Sequence, residues 1–325
     1  MASHGVMNPI PTPVPPIAYA GPALLGAVFS YLLAGVLLVQ IGQYSQNTGV
    51  TDRIYLRIMV VLVALCQALQ LALVTQKGWR VLVLAFTTPE LMVHQSPAAA
   101  AVPVLNGVVA LMVQGFFVWR IRSIGSRRNY VRPISVVILL LSLLGFASSI
   151  AISVLYIRSG ADSRMLYKLN IVGPLHGASK LVCDGLITVS MISVLYWIRR
   201  DTTFRRTHTL LNILIRNTIE NGFITTAFVA AHLAVYCLRK QDGSNYVFQN
   251  ILGFIYAIVL LTALNRRQDH RDGNADSSQS TDFNMHNLDL STNMGSQGFP
   301  GSRTAPALVQ IDQTRTVDDC TPVSK

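Results

Sequence analysis

The stretch "HGASKLVCDGLIT", residues 176–188, places four side chains with chemical potential at a constant spacing. His176, Lys180, Asp184 and Thr188 follow one another every fourth residue. On a helix that spacing puts them along one face. An imidazole, an ammonium and a carboxylate in one row suit two kinds of chemistry. They can form a proton relay, or Asp184 can act as counter-ion to a charged ligand. A third reading involves no ligand: Lys180 and Asp184 form an intrahelical ion pair that fixes packing. All three readings need the row to face away from lipid, because hydrocarbon offers such groups no partner.

Other polar residues inside apolar runs extend the candidate site. Asn106 and Gln114 are eight apart and share a helix face, and Gln67 and Gln70 lie in an earlier run. These amides could meet the Asp184 row or serve as ordinary interhelical glue. "LIRNTIENGF" holds Arg216 and Glu220 at one i, i+4 spacing and Asn217 and Asn221 at another. Near a helix end, Arg216 can reach the interface. His232 stands further along and could line a cavity. No G-x-S-x-G, phosphate-binding glycine loop, dinucleotide fingerprint or metal-ligand cluster appears. The reading is therefore non-enzymatic, with no cofactor and no metal. Cys66, Cys183, Cys237 and Cys320 have no metal-like spacing and are expected to form no disulfide.

The elements that must position these residues follow from where charge is missing. Of the 325 residues 51% are hydrophobic and only 13% charged, against roughly a quarter charged in ordinary globular domains. Residues 1–51 contain no Asp, Glu, Lys or Arg, and 98–119, 133–157 and 246–265 are likewise uncharged. About 20 helical residues cross a bilayer core. Seven spans are predicted, near 20–44, 55–76, 98–120, 133–157, 172–198, 211–238 and 246–265. The apolar stretch 81–93 is short and contains Pro89 and Glu90, so it reads as a loop or interfacial segment.

The fold class expected is an all-α integral membrane bundle of seven transmembrane helices. Residues 1–19 form a proline-rich outer segment without a cleavable signal, 20–267 the membrane domain, and 268–325 a disordered cytoplasmic tail. Flanking basic residues set the orientation. Loops one, three and five and the start of the tail carry fourteen, the opposite side seven, which puts the N-terminus outside and the C-terminus in the cytoplasm. The net charge of +11 is thereby explained by membrane topology, and no nucleic-acid partner is implied. The lipid bilayer is the expected surrounding, the plasma membrane in preference to internal ones. The basic loops, Arg205 and Arg206 above all, offer a surface to anionic lipid or a cytoplasmic protein. "TTFRRTHTLL" further suggests that Thr207 or Thr209 caps the sixth helix.

Three stretches, "SKLVCDGLITVSM", "TTFRRTHTLLNILIRNTIENGFITTAF" and "YAIVLLTALNRR", resemble a fungal seven-span family known as domain of unknown function 6534. They span 179–267. The matching positions include Cys183, Asp184, Arg205, Arg206, Arg216, Glu220, Gly222, Tyr256 and Asn265. Arg266 stands where the pattern usually has serine, and Asn221 where a small or threonine-like residue is common. The resemblance implies a fungal, basidiomycete-type integral membrane protein and assigns it no activity. Seven spans invite comparison with G-protein-coupled receptors, yet span seven lacks N-P-x-x-Y, and without a lysine it excludes a retinal Schiff base. Receptor-like sensing of an unknown ligand is the leading functional expectation. The alternatives are a small transporter or channel using Asp184 and Glu220, and a structural membrane protein without ligand.

Overall fold

A chain this apolar must satisfy its backbone within each segment, and in lipid that leaves the helix. The computed structural model describes residues 17–47, 53–88, 97–126, 128–158, 171–201, 205–238 and 244–266. Among these residues all regular structure is helical. The helices are α1 (Ile17–Asn47), α2 (Ile54–Leu82), α3 (Ala101–Ile124), α4 (Val131–Arg158), α5 (Val172–Asp201), α6 (Arg205–Leu238) and α7 (Asn245–Arg266). Each contains a stretch long and apolar enough to cross a membrane. A 3-10 turn, Leu84–Phe86, follows α2, and another, Pro97–Ala100, leads into α3.

The side chains are distributed inside out compared with a water-soluble domain. Leu25, Phe29, Leu32 and Leu38 of α1, Leu65 of α2, Leu140 of α4 and Phe223 of α6 are all exposed. Exposed apolar surface on this scale belongs against lipid. Length, composition and this outward face together mark a multi-pass membrane protein. The buried positions are comparatively polar, with Gln67, Gln70, Asn106, Gln114, His176, Lys180, Asp184 and Asn250 all interior.

Helix α7 is the most enclosed of the seven, and α1 and α6 are the least. One apolar cluster gathers Phe254, Tyr256, Leu260 and Leu264 of α7 with Leu37, Val60, Val63, Val109 and Val113 from α1, α2 and α3. A second joins Ile121 of α3, Ile138 of α4, Cys183, Met191 and Leu195 of α5, and Leu211 of α6. Helix α3 contributes to both, so it links the α7 side of the bundle to the α5 side.

Close approach of helices is achieved with small residues. Ser135, Ser142, Ser148, Ser149 and Ser153 of α4 are all buried. Each hydroxyl donates to a carbonyl of its own helix three or four residues back. A Cβ on Gly107 of α3 would strike Ser149 and come within 3.1 Å of Phe146. On α6, a Cβ at Gly222 would run into the Thr188 side chain of α5.

The predicted spans lie within the observed helices apart from short offsets at their ends. The largest differences lie at α2, which continues to Leu82, and at α6, which begins at Arg205. The second difference corrects the expected cap. Thr207 and Thr209 lie inside α6 and not ahead of it. Nothing in "RRTHT" breaks a helix, and arginine favours one, so winding begins before the apolar run does. The expected outer segment before residue 17 and the expected tail from 268 lie outside the described residues, as does most of the 81–93 connection beyond Thr88.

Candidate functional site

Asp184 sits in the middle of α5 and is only 5% exposed. Both carboxylate oxygens are taken. The Gln114 side chain of α3 donates Nε2–H to Oδ1 at 2.9 Å, and the Tyr256 hydroxyl of α7 donates to Oδ2 at 2.6 Å. Three helices thus meet at one carboxylate. Hydrogen bonds to an ionised acceptor are roughly twice as strong as neutral ones, which makes this a firm joint between α3, α5 and α7. Lys180 is not part of it. No salt bridge within 4.0 Å joins Lys180 to Asp184; the two attract each other at longer range, while the direct contacts of the carboxylate go to other helices.

A cavity of about 370 Å³ lies beside this joint. It is bounded by Val113–Ile124 positions of α3, Asp184–Met191 positions of α5, Leu214–Thr225 positions of α6 and Tyr256–Arg266 positions of α7. Apolar side chains such as Phe116, Phe117, Ile187 and Val259 form much of the wall. Polar groups are concentrated on α6, where Asn217, Asn221 and Thr225 face the space. The volume is in the range of about 300–1,000 Å³ usual for small-molecule sites.

The cavity extends from Asp184 toward the ends of α3 and α7, at Ile124 and Arg266. There the Arg266 guanidinium donates to Asn217 Oδ1 and lies 3.3 Å from Glu220 Oε2. Glu220 also receives Arg216 at 3.2 Å along α6. The expected i, i+4 pair on α6 is therefore present, and it is widened into a link between α6 and α7. At the same end Arg128 reaches Asp201 at 2.7 Å and lies over the Trp197 ring. Arg205 and Arg206 open α6, and their side chains lie outside the described residues.

A second cavity, of about 60 Å³, occupies the other half of the bundle. His176, Lys180, His232, Tyr236 and Asn245 face it. The His176 ring is held by Nδ1 at 3.0 Å from the Gly145 carbonyl and 3.0 Å from Ser148 Oγ. That carbonyl can only accept, so Nδ1 carries a proton.

The row predicted from sequence is thus divided. Gln114, Asp184 and Thr188 line the larger cavity, and Asn106, His176 and Lys180 line the smaller. Asn106 donates to the Gln249 carbonyl at 2.6 Å and Gln70 to the Asn250 carbonyl at 2.9 Å, so these amides tie α3 and α2 to the start of α7. Sequence reasoning gave Tyr256 no role at Asp184. A tyrosine in an apolar run carries no signal of its own, and only the family pattern picked it out. Among the described residues no group of three His, Cys, Asp or Glu comes together to hold a metal, and Cys66, Cys183 and Cys237 are unpaired.

The segment that supplies these features has a recognisable relative. Residues 180–269 match the family described as Family of unknown function (DUF6534). The match begins at Lys180, runs through Asp184 and the whole of α6, and includes Tyr256 and Arg266. Asn221 and Arg266, both within the matched stretch, face the larger cavity. Neither the curated proteins nor the solved structures gave a match to this chain.

Proposed function

We propose that this protein binds a small amphipathic molecule in the cavity beside Asp184 and acts as a receptor-like membrane sensor. One observation carries the reading. The same cavity has the Asp184 joint at one end and the Arg266–Asn217 contact in its wall at the other. An occupant touches the polar groups that hold α6 to α7 and the carboxylate that holds α3, α5 and α7 together. Binding can then shift the balance between two helix arrangements, provided the occupant favours one of them. The mainly apolar wall with amide and hydroxyl groups on α6 suits an apolar body bearing a hydroxyl or amine head. By the arginine asymmetry the Arg266 end faces the cytoplasm, so the ligand arrives from that side or from the bilayer. No step of bond chemistry is assigned to the site. The fungal origin implied by the resemblance belongs to this reading as well.

A transport reading is favoured by one separate feature. Lys180 and Asp184, a single turn apart on α5, line two cavities in different halves of the bundle. A path for a solute through the bundle would have to join these two cavities.

The test is affinity selection of a library of small amphipathic alcohols and amines. The protein is held in nanodiscs, with Ala263→Phe as a variant whose added ring fills the cavity. Compounds retained by the parent and lost by the variant support the reading. Equal retention by both, or none by either, sinks it. Retained compounds are then offered to proteoliposomes. Net uptake selects transport, and binding without uptake selects sensing.

A further inference from the structure

We propose that the smaller cavity is a binding site for a small monoanion, a carboxylate head or a halide, with Lys180 as its principal contact. This proposal is independent of the Asp184 cavity.

Lys180 is 4% exposed; no salt bridge within 4.0 Å reaches its ammonium from a described residue, and the one acid that attracts it, Asp184, does so without direct contact. Asp184, the nearest acid along the helix, has both oxygens committed to Gln114 and Tyr256. A buried charge held only by such a distant attraction is costly, roughly several kcal/mol, and gains from a contacting counter-ion. The His232 ring lies beside Asn245 at this cavity and interacts with its side chain. His232 stacks on Phe248 at 6.3 Å between ring centroids, so its ring orientation is fixed. A neutral imidazole protonated at Nε2 gives the cavity one more donor.

Charge over the rest of the molecule points the same way. Three acidic residues are described: Asp184, Asp201 and Glu220. Asp201 is engaged by Arg128, and Glu220 by Arg216 and Arg266. None of the three lines the smaller cavity. The same half of the bundle also holds Lys77, whose ammonium lies 3.3 Å from the centre of the Tyr246 ring, and Tyr246 lines the cavity too. The region therefore collects positive charge and polar donors around a space with no described carboxylate. A space of about 60 Å³ for water-sized centres admits a chloride or an acetate, since one water needs roughly 10–15 Å³ on that measure.

The experiment uses the full chain in phosphatidylcholine nanodiscs, melted in gluconate buffer with sodium acetate or sodium chloride replacing gluconate at constant ionic strength. Gluconate, with its six-carbon polyol chain, serves as the bulkier reference anion. The expected result is a saturable rise in melting temperature with acetate, chloride or both. The anion that half-saturates at the lower concentration identifies the class, with a tenfold difference as the criterion. Lys180→Met should remove the dependence, weakening apparent affinity at least tenfold. A curve that does not change as gluconate is replaced overturns the proposal, and so does a rise that Lys180→Met retains. Should that variant fail to fold, saturation transfer from the protein to acetate, displaced by chloride, decides in the parent. Absence of transfer together with absence of a chloride-dependent melt rejects the site.

Discussion

Asp184 shows how far a single residue can be read before its surroundings are known. Its position predicts an interior location because lipid cannot satisfy a carboxylate, and Gln114 is the polar partner on the third span that this reasoning calls for. The divergence of Lys180 was less legible, and helix geometry explains it. Four residues advance a helix by about 400°, so each i, i+4 step overshoots a full turn by about 40°. From His176 to Thr188 the row turns through about 120°, enough to pass from one interhelical gap to the next. A straight stripe in sequence thus serves two cavities. Tyr256→Phe should leave Asp184 Oδ2 without its donor and cost about 1–3 kcal/mol, read as a lower melting temperature in detergent. Asp184→Leu should destabilise the protein more than Asp269→Leu. Equal melting of those two variants would remove the three-helix joint from the list of stabilising features.

At the level of helices, α5 and α6 are held at a distance set by Gly222 against Thr188. Gly222→Ala forces those helices apart and should cost about 1–3 kcal/mol, the usual penalty for overpacking. Adding Thr188→Ala should recover much of that loss, since the two sites are in contact and their effects do not add. Additive losses would show that the clash is relieved elsewhere. The spans were legible because charge-free runs and bilayer thickness set them. The ends were not, because hydropathy falls before the helix does. Lys77 and Arg80 still belong to α2, and Arg205 and Arg206 to α6. For the second pair the consequence is testable. Changing both to Gln should weaken association with anionic vesicles if they anchor the helix start. It should leave insertion intact and lose a cytoplasmic partner if they couple the interior to that partner.

Over the whole molecule the two ends of the bundle differ in chemistry. One end ties its helices with Arg128–Asp201 and the Arg216–Glu220–Arg266 group. The other gathers Lys77, His176, Lys180 and His232 within its interior. The arginine-rich end is expected in the cytoplasm. A glycosylation acceptor fused to each terminus tests this, with modification expected on the N-terminal fusion alone and the opposite pattern reversing the assignment. This asymmetry was partly visible in the sequence, since loop arginines can be counted there. Lys180 could not be assigned to an end until packing separated it from Asp184.

The serines of α4 have a practical consequence for variation at that helix. Ser148 and Ser142 also meet His176 and Cys183 of α5, but the hydroxyls of Ser135, Ser149 and Ser153 are bonded to their own backbone, and these three present bulk more than polarity to their neighbours. In a randomised library at Ser135, Ser149 and Ser153, survivors should therefore be sorted by volume. Alanine and glycine should pass alongside serine, while leucine and phenylalanine should be lost. A sequence profile of such survivors would swing widely in hydropathy along a helix whose position had not changed.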